Sequence, residues 1–321
     1  MIGTIIGALF PVFALIALGY WSGKVQLLGE AGEPVLTRFV GQVTLPVLTF
    51  VTLATMKPAD LAVPAMVGVV LGGSALVYVV TFAAERLLHT PAGEANISAL
   101  VGGYGNSAFV GLPVCLVVLG QASLGPAAVV IALNASIVFG WAVLVDEMLR
   151  HRRGGLLAGL GRSLRQIGTN PLIVSAVAGV AAALAGLRLP VPLLTTLQTL
   201  GGATAACALV AIGMFMARPF ERVQPAVSLR LMLAKLVLHP LAAFGLLELF
   251  PPMPPIWNAT AILMAAMPTG ASAYVVAVQA GERASRIAAT VIVLTTLAAM
   301  LSLPIVLFLL ERVGMVSLGG N

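Results

Sequence analysis

The chain has 321 residues, of which 60% are hydrophobic and 9% are charged, and its mean hydropathy is +1.08. Soluble domains contain about 25% charged residues, so this composition excludes a soluble enzyme and a disordered chain. The formal charge of +6 is scattered between long apolar runs instead of forming a patch, which excludes a nucleic-acid partner and indicates an integral membrane protein.

Ten apolar segments are long enough, at about 20 residues, to cross a bilayer as helices, and Pro, Gly and charged clusters separate them. In chain order these spans one to ten cover 2–21, 34–56, 61–83, 97–119, 124–145, 170–187, 190–216, 227–249, 258–280 and 286–310. A polar connection at 149–168 divides the chain into a first half, 1–148, and a second half, 169–321. We therefore expect an all-α membrane protein surrounded by the lipid bilayer.

The basic residues predict an orientation for these spans. Of the 17 Lys and Arg residues, 13 lie on the same side as the central connection, Lys57, Arg188 and Arg312 lie on the other side, and Lys235 lies within span eight. Short cytoplasmic loops are enriched in Lys and Arg, so we expect the central connection inside and both termini outside. Five spans per half give the two halves opposite orientations, as in the inverted repeats of transporters. The similarity of 96–100 to 258–262 agrees with such a repeat.

Spans four and nine are interrupted at matching positions. The segment 102–113 of span four holds several glycines, an asparagine, a serine and a proline, and 267–274 of span nine holds a proline, a glycine and two hydroxyl residues. Non-helical backbone is tolerated at membrane depth only inside protein or beside a wet cavity. Paired interruptions of this kind indicate a transporter's binding site, although close helix packing is the alternative explanation of each break taken alone.

Each break creates the N-terminus of a half-helix, with free N–H groups and a partial positive charge. Two such ends can bind an anion without a buried Lys or Arg in contact with it. The predicted substrate-binding residues are therefore those at the two breaks: Gly105, Asn106, Ser107, Pro113, Pro268, Thr269, Gly270, Ala271 and Ser272.

A second set of residues is predicted to line the surrounding cavity: Tyr104, Thr44, Pro46, Thr49, Thr204, Tyr274, Lys235 and His239. Lys235 and His239 share a helix face because they are four residues apart. They form either an anion-attracting pair on the approach to the site or, in the interpretation we favour, a lysine that extends to the cytoplasmic headgroups beside a structural histidine.

No Asp or Glu lies in the middle of a span, and a proton-coupled carrier usually needs a buried group that changes charge. The sequence therefore favours an uncoupled carrier, in which the membrane potential drives anion efflux. A sodium- or proton-coupled symporter and a ligand-gated channel or sensor remain alternatives. Zinc, nucleotide-binding and nucleophile-elbow motifs do not occur, so we expect no enzyme activity, no cofactor and no metal.

The segment 106–113 resembles the Asn-x-x-x-x-Gly-Ile-Pro signature of the auxin efflux carrier family, with Leu112 in place of the Ile. The likeness extends to 45–50, 213–217, 266–270 and 303–305, and so covers essentially the whole chain. The family includes plant auxin exporters and bacterial carriers of malonate or malate.

The resemblance implies a fold similar to that of bile-acid symporters, with spans four and nine crossing at their breaks. It implies that Asn106 contacts the carboxylate of a small organic anion. It also implies an elevator-like movement of the crossover bundle against a scaffold of spans one, two, six and seven, a homodimer, and a location in the bacterial inner membrane.

Overall fold

The computed structural model describes residues 2–57, 64–150, 168–219 and 223–316. Within these residues the secondary structure is helical, apart from one isolated bridge between two extended residues. Most of the predicted central connection at 149–168 lies outside the described residues.

Twelve helices are labelled here in chain order. They are α1 (Ile2–Lys24), α2 (Gly32–Ala54), α3 (Pro64–Leu87), α4 (Ala92–Gly103), α5 (Ser107–Leu119), α6 (Gln121–Asp146, with helical residues continuing to Arg150), α7 (Pro171–Leu184), α8 (Val191–Met216), α9 (Pro225–Leu247), α10 (Pro255–Ala265), α11 (Ala273–Ala280) and α12 (Glu282–Arg312).

These helices begin and end within five residues of the predicted spans, with span four divided into α4 and α5 and span nine into α10 and α11. Of the described helices, α2, α3, α6, α8, α9 and α12 are individually long and apolar enough to cross a membrane. Large apolar side chains such as Val191 and Leu301, each 75% exposed, cover the outer surface. The chain is therefore a multi-pass membrane protein.

The helices pack as two groups. In the first group α1 lies against α8, and α2 lies against α7 and α8. Glycines permit this close approach: a Cβ atom added to Gly19 would lie 2.2 Å from the carbonyl oxygen of Val210, and one added to Gly213 would lie 2.1 Å from that of Ile16. Small residues at such positions let membrane helices pack through their backbones.

In the second group α3 packs on α4, α9 and α10, and α12 packs on α4 and α11. The two groups touch where α1 contacts α12, and α8 of the first group contacts the first turn of α5 at the interrupted span four. The breaks in spans four and nine therefore lie at the boundary between the two groups.

Candidate functional site

The break in span four separates α4 from α5. α4 ends at Gly103, and Asn106 caps the start of α5 with its side-chain Oδ1, which accepts a hydrogen bond from the Phe109 N–H at 3.2 Å. The backbone carbonyl of Asn106 accepts from the N–H groups of Val110 and Gly111 at 3.2 and 2.8 Å. Asn106 therefore fixes the position of a half-helix N-terminus in the interior of the protein.

The break in span nine crosses this segment directly. The backbone N–H of Asn106 donates to the Pro268 carbonyl at 2.7 Å, and the N–H of Gly270 donates to the Tyr104 carbonyl at 3.0 Å. A Cβ atom on Gly270 would lie 2.3 Å from the Tyr104 ring, so glycine is required there for the close approach. The two breaks thus form one short antiparallel bridge, here called the crossover, between Gly105 and Thr269.

A cavity of about 300 Å³ lies against the crossover. It is lined by seven of the residues singled out from the sequence: Tyr104, Gly105, Asn106, Ser107, Gly270, Ala271 and Ser272. α5 and α11 both begin here. The N–H groups of the first α11 residues donate to the carbonyls of Gly270, Ala271 and Ser272, whereas the first N–H groups of α5 lack a carbonyl partner one turn earlier in the same helix. The positive ends of two helix dipoles are therefore close to this cavity.

Amide side chains give the cavity its polar character. The Nδ2 group of Asn106 is buried and has no hydrogen-bond partner among the described residues, while its Oδ1 is already engaged as the helix cap. An anion in the cavity can therefore accept a hydrogen bond from Nδ2 without displacing another acceptor. A hydrogen bond of this kind, to a charged group, contributes about 1.5–3 kcal/mol.

Two further amides, Asn134 and Asn170, line the cavity and were missed in the sequence analysis. Asn134 Nδ2 donates to the Ser107 hydroxyl at 2.6 Å, and Asn170 Oδ1 accepts from the Leu172 N–H at 3.0 Å. A single amide in the apolar span five was a signal for Asn134. Asn170 precedes Pro171, and in the sequence this Asn-Pro pair indicates only the start of a helix.

Three predicted site residues lie beside the crossover but do not line the cavity. The Thr269 hydroxyl donates to the Val101 carbonyl at 2.9 Å, and its backbone N–H donates to the hydroxyl of Thr295 at 3.1 Å. Pro268 supplies the carbonyl of the crossover bridge, and Pro113 lies buried in the first turn of the regular helix that follows the break. Thr269 and Pro268 therefore hold the two breaks together.

Four residues of spans two and seven are buried away from this cavity: Thr44, Pro46, Thr49 and Thr204. The hydroxyls of the three threonines have no hydrogen-bond partner among the described residues. Tyr274 also lies outside the cavity lining and packs edge-on against Phe215, with the ring centroids 6.3 Å apart.

The favoured interpretation of Lys235 was wrong, because its side chain does not extend to the headgroups. Lys235 is completely buried, and its ammonium donates to the carbonyl of Ala265 at 2.6 Å and lies 2.9 Å from Nδ1 of His239. His239 is buried too, with Nε2 3.4 Å from the Ser74 hydroxyl. Neither residue lines the 300 Å³ cavity, and both lie behind the crossover.

The cavity continues into a vestibule of about 710 Å³. Five residues line both spaces: Gly41, Ala135, Phe139, Asn170 and Val275. Arg38 and Arg218 line the vestibule, and Arg218 forms an ion pair with Glu33. A separate cavity of about 640 Å³, lined in part by Gln121 and Trp257, shares no lining residue with the site. The site is therefore connected to the face that carries Arg38 and Arg218.

The helices, the paired breaks and the cavity beside them are those of a membrane transport protein, and sequence comparison agrees. The family model described as "Membrane transport protein" matches residues 4–307. The chain is also similar to a protein of Rhizobium meliloti (strain 1021) named "Putative malonate transporter", with 32% identity over 298 residues that cover 91% of this chain and 92% of that protein. The chain therefore belongs to the auxin efflux carrier family of membrane transport proteins.

Proposed function

We propose that this protein is a secondary transporter of small organic anions, with malonate as the first substrate to test. The observation that carries the proposal is the buried Nδ2 of Asn106, which has no hydrogen-bond partner among the described residues. Asn106 lies at the crossover of the two broken helices and lines the cavity. Because the cavity is small, at about 300 Å³, it suits a short mono- or dicarboxylate. The name of the Rhizobium relative supports the same class of substrate.

The anion is bound by donors that come from several helices. One carboxylate accepts from Asn106 Nδ2 and from the first N–H groups of α5, where the helix dipole favours negative charge. The Ser107 hydroxyl already accepts from Asn134, so its own proton is directed to the anion or to the Gly105 carbonyl 3.4 Å away. We assign the second carboxylate of a diacid to the amide group of Asn170, which also lines the cavity.

Transport follows from alternating access to this site. In the inverted ten-helix arrangement, the crossover bundle moves relative to the group containing α1, α2, α7 and α8, and the site is exposed first to one face and then to the other. The vestibule faces the side with 13 of the 17 basic residues, so we assign it to the cytoplasm. The membrane potential then drives efflux, with about 2.3 kcal/mol per charge for each 100 mV.

Charge movement in proteoliposomes adsorbed on a solid-supported membrane tests this function. A jump to malonate, malate, succinate or indole acetate, without sodium or pH gradients, is expected to give a saturable current with at least one of them. A current that requires sodium or acid indicates the coupled symporter instead. Large unitary currents indicate a channel, and both results contradict the proposal.

The orientation is tested separately by cysteine labelling. A cysteine replacing Gly155 in the central connection, in a background where Cys115 and Cys207 are replaced by Ala, is expected to react with an impermeant maleimide only in inside-out vesicles. Reaction in intact cells contradicts the assignment of the vestibule to the cytoplasm.

A further inference from the structure

Lys235 is a fully buried lysine within span eight. It lies in a π-helical turn of α9, Ala234–Leu238, and its side chain is 0% exposed. Within the described part of the chain it forms no ion pair with a carboxylate. Its polar contacts there are the Ala265 carbonyl and His239. Since an ionised lysine carries only donors, Nδ1 of His239 is the acceptor in this contact, and the His239 proton on Nε2 faces Ser74.

The carbonyl that binds Lys235 belongs to the last residue of α10, the first half of span nine. The carbonyl end of a helix has a partial negative charge and stabilises a nearby cation. In transporters with broken helices, such carbonyl ends are where coupling cations are held. The Lys235 ammonium therefore occupies the kind of position that a coupling ion takes.

Lys235 is also next to the crossover itself. A Cβ atom added to Gly105 would lie 3.6 Å from Lys235 Nζ and 3.2 Å from the Met264 carbonyl oxygen. Gly105 lines the substrate cavity, so the ammonium and a bound anion lie close to the same short backbone segment. A side chain at residue 105 would crowd the Met264 carbonyl, which favours glycine at this position.

We propose that the Lys235 ammonium is a tethered cation that replaces a coupling ion at the carbonyl end of α10. This inference rests on the proposed transport function and deepens it. The charge stays at the crossover throughout the cycle, so anion transport does not require sodium. The same positive charge favours an anion in the cavity on the other side of Gly105.

The test compares Lys235→Ala and Lys235→Met with wild type, using the melting temperature of the purified protein without substrate. Lys24→Met is the control, because Lys24 is exposed at the end of α1. Samples contain sodium chloride or choline chloride at equal ionic strength, with or without n-propylammonium. This amine replaces the atoms that Lys235→Ala removes, and n-propanol serves as its uncharged analogue.

We expect wild type and Lys24→Met to melt at the same temperature in sodium and in choline. Lys235→Ala and Lys235→Met should melt about 5 °C or more lower in choline, because the carbonyl end and His239 lose their donor. Sodium should raise the melting temperature of both variants. Propylammonium should raise that of Lys235→Ala, and propanol should not.

Equal rescue by propanol and propylammonium would overturn the proposal, because the apolar stem and not the charge would then matter. Wild-type stability of Lys235→Met in choline would overturn it as well. If neither variant can be purified, transport by Lys235→Arg provides the test. Because this variant keeps a cation at residue 235, we expect it to transport malonate in choline. Sodium-dependent transport by Lys235→Arg or by wild type would contradict the inference. The melting experiment needs no substrate, so a protein that shows the expected rescue but no anion current would refute the proposed function alone.

Discussion

The two breaks occupy matching positions in the two halves of the chain, yet they are built differently. The break in span four leaves an amide group of Asn106 without a partner in the cavity lining. In the break of span nine, Ser272 lines the cavity, but Thr269 binds the Val101 carbonyl and the Thr295 hydroxyl. The amide donor of the first break is therefore available to a ligand, whereas the Thr269 hydroxyl of the second break is engaged within the protein.

This difference shows that similar interruptions in the sequence need not have the same role. The carbonyl end at the second break is occupied by the Lys235 ammonium, whereas Asn106 at the first break retains a free donor. We therefore expect substitutions at the first break to change substrate affinity and substitutions at the second break to change stability. Four substitutions test this difference between affinity at the first break and stability at the second.

Asn106→Asp is expected to have the largest effect. The carboxylate places a negative charge where the substrate carboxylate binds, and two like charges about 4 Å apart repel by roughly 4 kcal/mol at an effective dielectric constant of 20. Malonate affinity should fall by about 100-fold or more, measured by isothermal titration. Size-exclusion chromatography checks folding, and wild-type affinity in a folded Asn106→Asp protein would remove Asn106 from the site.

Thr269→Val should act on stability instead. The substitution keeps the shape of the side chain but leaves the buried Val101 carbonyl without its donor, which costs about 1–3 kcal/mol. The melting temperature should fall while malonate affinity in the folded fraction stays within about twofold, since the hydroxyl does not line the cavity. A loss of affinity at unchanged melting temperature would show that both breaks bind substrate.

Asn134→Ala should reduce malonate affinity by about 10-fold, because the Ser107 hydroxyl loses the donor that orients it and one hydrogen bond contributes about 1 kcal/mol or more. Thr55→Ala, in the separate 640 Å³ cavity, is the matched control and should bind as wild type does. Equal losses in the two variants would indicate a general disturbance of packing.

Arg38→Gln should have the smallest effect, because Arg38 is exposed at the vestibule. A basic vestibule raises the local concentration of anions, and salt screens this attraction over about 8–10 Å. The apparent affinity for malonate should be about twofold weaker at low ionic strength and unchanged at high ionic strength. A salt-independent loss would place Arg38 in direct contact with the substrate.

Much of the fold was predictable because apolar length and interruption are local properties of a sequence. The described helices begin and end within five residues of the predicted segments, and six of them are individually long and apolar enough to cross a membrane. Both breaks occur where Gly and Pro make a continuous helix unfavourable. The contact between the breaks was expected only from the family resemblance, and the structure contains it as the Gly105–Thr269 bridge.

The roles of single polar side chains were harder to predict, because they depend on which neighbour is within reach. Thr269 and Ser272 looked equivalent in the sequence, but only Ser272 lines the cavity. Lys235 looked like a lysine near a span end, because the carbonyl that binds it belongs to α10, distant in the sequence. Asn134 was missed because a single amide in an apolar span, although a signal, does not show which neighbour it faces.

The central claim is that the first break supplies the anion-binding donor. The most direct test is isothermal titration of malonate into purified wild type, Asn106→Ala and Asn258→Ala. Asn258→Ala is the control, because Asn258 lies in the segment 258–262 that is similar to 96–100 and is away from the cavity. The account predicts that Asn258→Ala binds like wild type and that Asn106→Ala loses about 10-fold or more in affinity. Unchanged binding by a folded Asn106→Ala protein would contradict it.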